Sequence, residues 1–296
     1  MFVLTTYLIT GSNRGIGLEL VRQLKDRGDD VIATCRSASP ELNSLSVRVE
    51  TNIDITSGDS VIKLRENLKD TKVDILIQNA GIAEFNSLSN LDPQSILHQF
   101  EVNALSPLCC VQTMLSHLSK SAKIALISSR MGSIEDNSSG GSYGYRMSKV
   151  ALCMAGKSLS VDLKPRGIAV AILHPGLVST RMTGFTSNGI QPKESVKGLI
   201  QRIDELTLDN TGTFWQASYS VKDNDSGLIH FSNFKAEDPA GNYITFDQNT
   251  VTSSKSVTVD NSRPLVSSVV LTNNPSNTLY DETGNPKSNE LVVKQG

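Results

Sequence analysis

The sequence predicts a doubly wound α/β fold, in which a parallel β-sheet lies between two layers of helices, for residues 1–216 of the 296-residue chain. Three observations support this prediction. Short apolar strands alternate with amphipathic stretches that are long enough for helices, and a glycine-rich turn joins the first strand to the first helix. In addition, residues 73–77 form an apolar run that is typical of a parallel strand buried on both faces.

The predicted strands and helices alternate along this region. The first strand covers residues 6–10, and Ile16, Leu20 and Leu24 define the apolar face of the helix that follows and ends at Gly28. Helices between consecutive strands imply right-handed crossovers and hence parallel pairing. The remaining strands are expected at 31–35, 47–51, 73–77, 123–127, 169–173 and, at the edge, 213–215, and the remaining helices at 57–69, 93–118, 143–163 and from Pro192.

Composition and charge exclude several classes of function. The formal net charge is −2 at pH 7 and no basic run is present, so neither a nucleic acid nor a membrane is expected as a partner. No stretch is long and apolar enough to span a bilayer, and residues 1–10 lack the basic leader and cleavage site of a signal peptide. The cysteines follow neither metal-site nor disulfide spacing, so the sequence predicts a cytoplasmic protein without a metal site.

The composition changes after about residue 217. Residues 217–296 are rich in serine, threonine, asparagine and aspartate, show no helical periodicity and contain no cysteine. Short β-like pieces at 243–246 and 265–271 are separated by asparagine, glycine and proline. This segment is therefore expected to be a C-terminal extension of unknown role, either β-rich or largely disordered, with residues 265–271 favouring some β structure.

A glycine motif follows the first predicted strand and opens the first predicted helix. Its glycines permit a tight turn and let a pyrophosphate approach the helix N-terminus, where free N–H groups and the helix dipole favour anions. Such a turn also occurs without a ligand, but its place in a βαβ unit favours a dinucleotide site. The residues expected to contact the dinucleotide here are Gly11, Asn13, Arg14, Gly15, Ile16 and Gly17.

The end of the second predicted strand indicates which dinucleotide binds. A carboxylate there would bind the ribose hydroxyls of NAD, but the position is occupied by Cys35 and the next residue is Arg36. The Arg36 guanidinium can bind a 2′-phosphate through two hydrogen bonds, and Arg14 in the glycine motif adds a second cation. Either arginine alone is an ordinary surface charge. Together, with the acidic residue absent, they favour NADPH over NADH.

Tyr145 and Lys149 carry the predicted chemistry. They lie four residues apart in a predicted helix, so the phenol and the ammonium face the same spot. The nearby cation is expected to favour the phenolate and to lower the pKa of Tyr145 from about 10 toward the working pH. Tyr145 can then give a proton to a carbonyl oxygen while a nicotinamide gives a hydride. Because such a pair occurs by chance in many helices, its weight depends on the motifs around it.

Together these motifs resemble those of the short-chain dehydrogenase/reductase family, which has a Rossmann fold. The resemblance rests on the glycine motif that begins at Thr10, on the Asn-Ala-Gly sequence at 79–81 and on the Tyr-x-x-x-Lys sequence at 145–149, and it covers roughly residues 5–216. Residues 7–19, 132–137, 143–149 and 211–215 are similar to the subgroup that contains the bacterial C-factor and the insect carbonyl reductase sniffer.

The resemblance implies roles for further residues. It implies that Ser129 orients the substrate, that Asn103 holds a water molecule in a proton relay, and that Asp54 accepts a hydrogen bond from the adenine amino group. It also implies that Lys149 reaches the nicotinamide ribose and Thr180 the carboxamide. In isolation, Asp54 fits an ordinary loop cap equally well. The cofactor contacts implied outside the glycine motif and Arg36 are Asp54, Ile55, Asn79, Ala80, Gly81, Tyr145, Lys149, Pro175, Gly176, Val178 and Thr180.

The sequence thus predicts an NADPH-dependent oxidoreductase that reduces an aldehyde or ketone, with Tyr145 as general acid. Two alternatives stay open: a cofactor-binding signalling protein with weak catalysis, which the C-factor resemblance suggests, and a dehydrogenase that works oxidatively with NAD. The identity of the small-molecule substrate is left open as well. In relatives the helices at 93–118 and 143–164 often form an interface between subunits, which implies a homodimer or homotetramer without fixing the number.

Overall fold

A computed structural model of the chain describes residues 4–216 and four short strands beyond them, at 234–237, 243–246, 269–270 and 290–291. The chain divides into two compact units, Met1–Tyr219 and Ser220–Gly296. Every residue to which the sequence assigns chemistry falls in the first unit. Within the described residues, no helix has the length and apolar character needed to cross a membrane.

The first unit is built on a seven-stranded parallel sheet. Its strands are β1 (Thr6–Thr10), β2 (Asp30–Thr34), β3 (Arg48–Glu50), β4 (Val73–Gln78), β5 (Leu118–Ile127), β6 (Ala169–His174) and β7 (Phe214–Gln216). They lie in the order β3-β2-β1-β4-β5-β6-β7, and each neighbouring pair is parallel. The predicted doubly wound α/β fold is therefore confirmed, including an edge strand after the last helix.

Helices cover both faces of this sheet. They are α1 (Gly15–Arg27), α2 (Pro40–Ser44), α3 (Gly58–Leu68), α4 (Pro93–Phe100), α5 (Ser106–Met114), α6 (Tyr143–Leu163) and α7 (Pro192–Asp204). On one face, Leu24 of α1 and Leu199 of α7 share an apolar cluster. On the other face, Leu64 of α3, Val111 of α5 and Leu152 of α6 share a second cluster. The helices thus form the two outer layers of a three-layer fold.

The central strands are buried on both faces because each contributes side chains to both clusters. Along β1, Leu8 points to the cluster of α3, α5 and α6, whereas Ile9 points to the cluster of α1 and α7. Along β4, Leu76 and Ile77 divide in the same way. Alternate residues of a strand face opposite sides, so a strand between two helical layers needs apolar residues at nearly every position. This requirement explains the apolar run that predicted β4.

The strand order reverses at β1. The chain passes from β1 outward to β2 and β3 on one side, and then returns to place β4 on the other side of β1. In open α/β sheets the loops that leave such a pair of strands separate, and their separation opens a crevice at the carboxyl ends of the strands. The turns after Thr10 and Gln78 therefore border the expected binding site.

The helix predicted at 93–118 is interrupted, and this prediction is corrected by the structure. A turn of π-helix at Glu101–Leu105 separates α4 from α5, and α5 ends at Met114. The strand β5 begins at Leu118, where the helix was expected to end, and not at residue 123. The periodicity continues through the π turn, so the pattern of apolar residues does not reveal the break.

The described segments of the second unit are strands. Phe234–Glu237 pairs with Tyr243–Phe246, and Val269–Val270 pairs with Glu290–Leu291, both in antiparallel orientation. The strand predicted at 243–246 is therefore present. The strand predicted at 265–271 is described only at Val269–Val270, and the rest of it lies outside the described residues.

Candidate active site

A cleft of about 470 Å³ opens at the carboxyl ends of the strands. It is bordered by the turns that follow β1, β2, β4 and β6 and by the beginning of α6. Residues that are far apart in the sequence therefore meet in one cavity. The predicted residues that line it are Gly11, Asn13, Arg14, Gly15, Ile16, Gly17, Arg36, Asp54, Ile55, Asn79, Ala80, Gly81, Tyr145, Lys149, Pro175 and Thr180.

The turns after β1 and β4 are bound to each other and form the floor of the cleft. Asn79 Nδ2 donates hydrogen bonds to the carbonyl oxygens of Thr10 and Gly11, both at 3.0 Å. The Thr10 hydroxyl accepts from the N–H groups of Asn79 and Ala80 at 3.0 and 3.2 Å. Gly11 has φ +69°, and a Cβ atom there would lie 2.8 Å from Ala80 Cα. The close approach requires glycine at position 11 and leaves bare backbone for a ligand to lie on.

The N-terminus of α1 presents uncapped N–H groups to the cleft. Its N-cap residue, Arg14, makes no side-chain capping bond, and the first turn contains no acidic residue. By contrast, the side chains of Ser39, Ser57 and Asp92 cap α2, α3 and α4. Gly15, in the first turn of α1, lines the cleft. Free N–H groups and the positive end of the helix dipole therefore face the cavity, an arrangement that binds anions.

Charged side chains border the end of the cleft that lies beside β2 and β3. Asp54 Oδ1 accepts from the N–H and the hydroxyl of Thr56 at 3.0 and 2.8 Å. These bonds, chiefly that of the backbone N–H, lower the pKa of Asp54, and the charges of Arg36 and His98 lower it further. Asp54 is therefore an anion at neutral pH. Arg14 and Arg36 are exposed and line the same part of the cavity.

Tyr145 lies in the first turn of α6 beside the cleft. Burial raises the pKa of its phenol above the usual value of 10, while a hydrogen bond with the Ser129 side chain opposes this rise. The lowered pKa expected from Lys149 is therefore wrong. Lys149 Nζ lies 5.6 Å from the centroid of the Tyr145 ring, but desolvation of the phenolate is the main influence on the pKa of Tyr145. The phenol is protonated at neutral pH and is a proton donor.

Lys149 is almost fully buried, with 5% of its surface exposed. Its Nζ donates a hydrogen bond to the carbonyl oxygen of Ile127, at the end of β5, at 3.0 Å. Burial lowers the pKa of Lys149 to about 8, so the amine is still mostly charged at neutral pH. An ammonium has three N–H donors, and the bond to Ile127 leaves donors for ligand atoms in the cleft that Lys149 lines.

Asn103 joins the segment after β4 to α6. It is fully buried in the π turn between α4 and α5. Its Oδ1 accepts from the N–H of Ile82 at 2.8 Å, and its Nδ2 donates to the carbonyl oxygen of Ile82 at 2.8 Å and to the Ser148 hydroxyl at 3.0 Å. Asn103 therefore binds the residue next to Lys149 on α6, and it does not line the cavity. Single π turns are frequent at functional sites, where they redirect one side chain.

Comparison with known proteins identifies the family. The family model described as short chain dehydrogenase matches residues 5–190. The chain belongs to the short-chain dehydrogenase family. Among curated relatives, a 1-hydroxy-2-glutathionyl-2-methyl-3-butene dehydrogenase of Rhodococcus sp. (strain AD45) is 38% identical over 216 residues, which cover 71% of this chain and 96% of that protein. The C-signal protein of Myxococcus xanthus is 42% identical over 146 residues, which cover 48% of this chain and 87% of that protein.

Solved structures of the same family share the fold. The carbonyl reductase Sniffer of D. melanogaster is 32% identical, with a TM-score of 0.68, over 73% of this chain and 97% of that chain. An NADPH-bound carbonyl reductase from chicken fatty liver is 29% identical, also with a TM-score of 0.68, over 75% of this chain and 99% of that chain. The resemblance to the C-factor and sniffer subgroup predicted from the sequence is therefore confirmed.

The structure does not bring every residue expected from this family to the cavity. Ser129, Asn103, Gly176 and Val178 are not among the lining residues. Ser129 contacts the Tyr145 phenol, and Asn103 is bonded to neighbouring segments. The Val178 side chain is buried, and its backbone forms a β-bridge with Ile190. Gly176 has φ +86°, which a turn immediately after β6 requires.

The cleft also contains residues that sequence reasoning missed, and some of them carry a local signal. Glu84 lies three residues after the Asn79–Gly81 motif, and Arg181 directly follows Thr180, so their nearness to known motifs indicates them. His98 and Val102 lie four residues apart and share one helical face. The missed lining residues are Cys35, Ile53, Thr56, Ile82, Ala83, Glu84, His98, Val102, Ile127, Ser128, Arg181 and Met182.

Proposed function

We propose that the protein is an NADPH-dependent reductase of aldehydes or ketones in which Tyr145 is the general acid. The observation that carries this proposal is the phenol of Tyr145, which burial keeps protonated, which is hydrogen-bonded to Ser129, and which faces the same cleft as the anion-binding N-terminus of α1. A proton donor and a dinucleotide site in one cavity are the two components that carbonyl reduction requires.

The residues at both ends of the cleft fit NADP(H). The uncapped N-terminus of α1 and the backbone at Gly11 suit a pyrophosphate. At the adenosine end, Arg14 and Arg36 suit a 2′-phosphate, and Cys35 stands where an NAD-selecting carboxylate would be expected. The NADPH bound to the similar chicken liver reductase agrees with this choice. When bound, the reduced nicotinamide supplies a hydride to the carbonyl carbon.

The chain's own residues supply and hold the proton. Tyr145 donates its phenolic proton to the carbonyl oxygen, which becomes the hydroxyl of the product. Ser129 holds the phenol in place through its hydrogen bond with Tyr145. The Lys149 ammonium, fixed by Ile127, stabilises the phenolate left after transfer, and Asn103 anchors the backbone of Ile82 and the Ser148 hydroxyl behind it. Water can then return the proton to Tyr145 through the polar groups of the cleft.

A panel of aldehydes and ketones tests the proposal. The purified full-length protein is mixed with NADPH and each carbonyl in turn, and the loss of NADPH absorbance is followed. We expect oxidation of NADPH that depends on at least one carbonyl and yields one alcohol per NADPH. If reaction occurs only with alcohols and NADP⁺ or NAD⁺, the working direction is oxidative, as in the Rhodococcus relative. If no reaction occurs in either direction, the proposed function is refuted.

Replacing Arg36 with alanine is expected to weaken NADPH binding specifically. Loss of a charge-assisted hydrogen-bond pair to the 2′-phosphate should raise the Kd of NADPH by about 10- to 100-fold and leave the Kd of NADH nearly unchanged. Fluorescence titration of both nucleotides measures the change. Lys63→Ala removes an exposed cation from α3, outside the cleft, and serves as the control. An unchanged preference in Arg36→Ala would remove this residue from the selection of NADPH.

A signalling role is the second candidate function, and the similarity to the C-signal protein favours it. In this role, binding of the dinucleotide would matter more than turnover, and residues 217–296 would form a separate partner-binding extension. Truncation after residue 216 and Tyr145→Phe separate the two functions. A cellular phenotype that survives Tyr145→Phe but is lost on truncation would favour signalling. A phenotype that is lost in Tyr145→Phe would favour catalysis.

We further propose that the protein forms a homodimer through α6 and works in the cytosol, where its free cysteines stay reduced. Met147, Met154 and Val161 lie seven residues apart on α6, and between 53% and 67% of each is exposed. Residues spaced by two helical turns form one stripe, and the exposed Leu97 and Phe100 of α4 add to the apolar surface. An apolar stripe of this kind suits a symmetric contact between two copies.

Met154→Asp is expected to dissociate this dimer. In a symmetric interface the substitution places two carboxylates close together, which should raise the dimer Kd at least about 100-fold. Sedimentation velocity of the variant and wild type measures the change. Ile62→Asp places the same charge on α3, where Ile62 is 39% exposed, and should leave the oligomer intact. If the wild type is monomeric at micromolar concentration, or if both variants behave alike, the α6 interface is wrong.

A further inference from the structure

Phe85 presents an exposed aromatic ring next to the general acid. Its side chain is 60% exposed, and its ring stands edge-on to the ring of Tyr145, with centroids 6.2 Å apart and an interplanar angle of 61°. Single exposed apolar residues are common on protein surfaces and need no explanation. Phe85 differs from them because it contacts the residue that donates the proton and follows directly after Glu84, which lines the cleft.

The backbone on the N-terminal side of Phe85 is fixed by a buried amide. Gln99, in α4, is fully buried, and its Oε1 accepts a hydrogen bond from the N–H of Glu84 at 2.9 Å. Its Nε2 donates to the hydroxyl of Ser95 at 3.3 Å, and that hydroxyl donates to the Glu84 carboxylate at 2.5 Å. Glu84 is thus held through both its backbone and its side chain, so the chain enters residue 85 from a fixed point.

The backbone on the C-terminal side of Phe85 is fixed to the catalytic helix. Asn86 accepts two hydrogen bonds: its backbone carbonyl oxygen accepts from the N–H of Ser142 at 2.7 Å, and its side-chain Oδ1 accepts from the N–H of Tyr143 at 3.0 Å. Ser142 is the N-cap of α6 and makes no capping bond with its own side chain. Asn86 therefore supplies the missing cap from a distant segment. Because Tyr145 is only two residues beyond Tyr143, the same bonds tie Phe85 to the general acid.

These contacts belong to a longer row of amide side chains that holds the segment after β4. Gln99 and Asn103 lie one turn apart on the same helical face and bind alternate residues of that segment, Glu84 and Ile82. Asn103 also bonds to Ser148 of α6, and Asn86 bonds to the first residues of the same helix. The segment after β4 is therefore connected to α6 at both of its ends. Phe85 lies between Glu84 and Asn86, which are both held by hydrogen bonds, and its own side chain is exposed.

We propose that Phe85 is a specificity-determining residue that favours substrates with a flat apolar group, such as an aryl ring, attached to the carbonyl carbon; the proposal rests on the function proposed above. A carbonyl oxygen that accepts the Tyr145 proton places its substituent near the ring that contacts Tyr145. Because the backbone on both sides of Phe85 is already fixed, the segment loses little conformational entropy when a substrate binds against the ring. A flat ring gains more from an aromatic wall than a puckered ring of the same size.

The experiment compares two aldehydes of equal carbon number, one with a flat ring and one with a puckered ring. Benzaldehyde and cyclohexanecarbaldehyde each have a six-membered ring on the aldehyde carbon, and propanal serves as a small substrate without a ring. Conjugation makes the intrinsic reactivity of benzaldehyde different, but this difference is the same for wild type and variants and cancels when their ratios are compared. We expect wild-type kcat/KM to favour benzaldehyde over cyclohexanecarbaldehyde. In Phe85→Ala this ratio should fall by about tenfold, as for loss of one good pocket contact, while kcat/KM for propanal stays within about twofold.

Matched variants make the result specific. Phe85→Leu keeps an apolar side chain but removes the flat face, so it should lose most of the preference for benzaldehyde and keep activity with cyclohexanecarbaldehyde. Leu88→Ala truncates another apolar side chain, 73% exposed, three residues further along the same segment. It should change neither the ratio of the two ring aldehydes nor kcat/KM for propanal. Because Phe85 and Leu88 are both exposed, each variant is expected to keep the melting temperature and the NADPH affinity of the wild type.

The possible failures can be told apart. If all three aldehydes lose activity equally in Phe85→Ala, Phe85 only supports Tyr145, and the inference is overturned while the proposed function stands. The inference is overturned in the same way if the ratio of kcat/KM for benzaldehyde to that for cyclohexanecarbaldehyde is unchanged in Phe85→Ala, or falls equally in Leu88→Ala. If the wild type reduces none of the three aldehydes nor any carbonyl of the wider panel, both the proposed function and this inference are refuted.

Discussion

Tyr145→Phe is expected to lower kcat for carbonyl reduction by at least about 100-fold, the effect typical of losing a general acid, while the Kd of NADPH changes little. The substitution removes one hydroxyl and keeps the ring that contacts Phe85. Burial holds the phenol in its protonated form and Ser129 holds it in place, so the substitution removes the proton donor without changing the ring's surroundings. Steady-state turnover and fluorescence titration with NADPH measure the two quantities.

Tyr143→Phe provides the matched control for this prediction. Tyr143 lies two residues before Tyr145 on α6, and its side chain does not line the cleft. Its bond to Asn86 uses the backbone N–H, which the substitution leaves in place. We therefore expect nearly wild-type turnover from this variant. Turnover in Tyr145→Phe equal to that in Tyr143→Phe would remove Tyr145 from the role of acid.

The sequence predicted that Tyr145 and Lys149 lie together on one helix, as they do in α6, but it predicted the direction of the Tyr145 pKa shift wrongly. The spacing of Tyr145 and Lys149 on one helix shows that the two groups are neighbours, and a cation near a phenol lowers its pKa when both are solvated. Burial depends on which other segments cover the helix, and that information is not present in a motif of five residues. In the structure, burial is the dominant influence on both side chains.

The order of strands and helices could be predicted because its signals are local. A strand between two helical layers must be apolar at nearly every position, and a helix must be apolar on one face, so each element has its own pattern. The break at Glu101–Leu105 could not be predicted in this way. It places Asn103 where it binds Ile82 and Ser148, residues far from it in the sequence. Only tertiary contacts explain why the helix deforms there.

The same distinction applies to the cleft. Gly11 was predicted from the glycine turn that opens the first helix, and Asn79 from the resemblance of its motif to the family. Asn86 was not predicted, because its importance lies in capping a helix that begins at residue 143. Met182 was missed because the path of the chain after Thr180 depends on the turn at Arg181–Thr183. Interactions between distant segments therefore account for most of what the sequence did not reveal.

Lys149→Met is expected to stabilise the cofactor-free protein at neutral pH and to remove most of its activity. The pKa of Lys149 is about 8 in the fold, against about 10.4 for an exposed lysine. The unfolded chain therefore holds the proton more tightly than the fold does. Below pH 8 the amine is charged in both states, and folding carries the full cost of burying the charge, at most about 3 kcal/mol.

This cost declines as the pH rises from 8 toward 10.4, because the buried amine is then neutral and only the unfolded chain still binds the proton. Lys149→Met should accordingly raise the free energy of unfolding by at most about 3 kcal/mol at pH 7, and by only about 1 kcal/mol at pH 9.5. Urea unfolding of wild type and variant at the two pH values measures both differences. Lys157→Met, at an exposed position on the same helix, should change neither stability nor turnover.

The opposite signs of the two effects make the prediction informative about function. A lysine kept for packing would lower stability when it is replaced, and turnover would fall only through loss of folded protein. A lysine kept for charge next to Tyr145 costs stability that folding must offset elsewhere, and its replacement by an apolar residue of similar length returns that stability while activity is lost. If Lys149→Met is less stable than the wild type at pH 7, or retains turnover, the buried ammonium is structural and the mechanism proposed for Tyr145 loses its support.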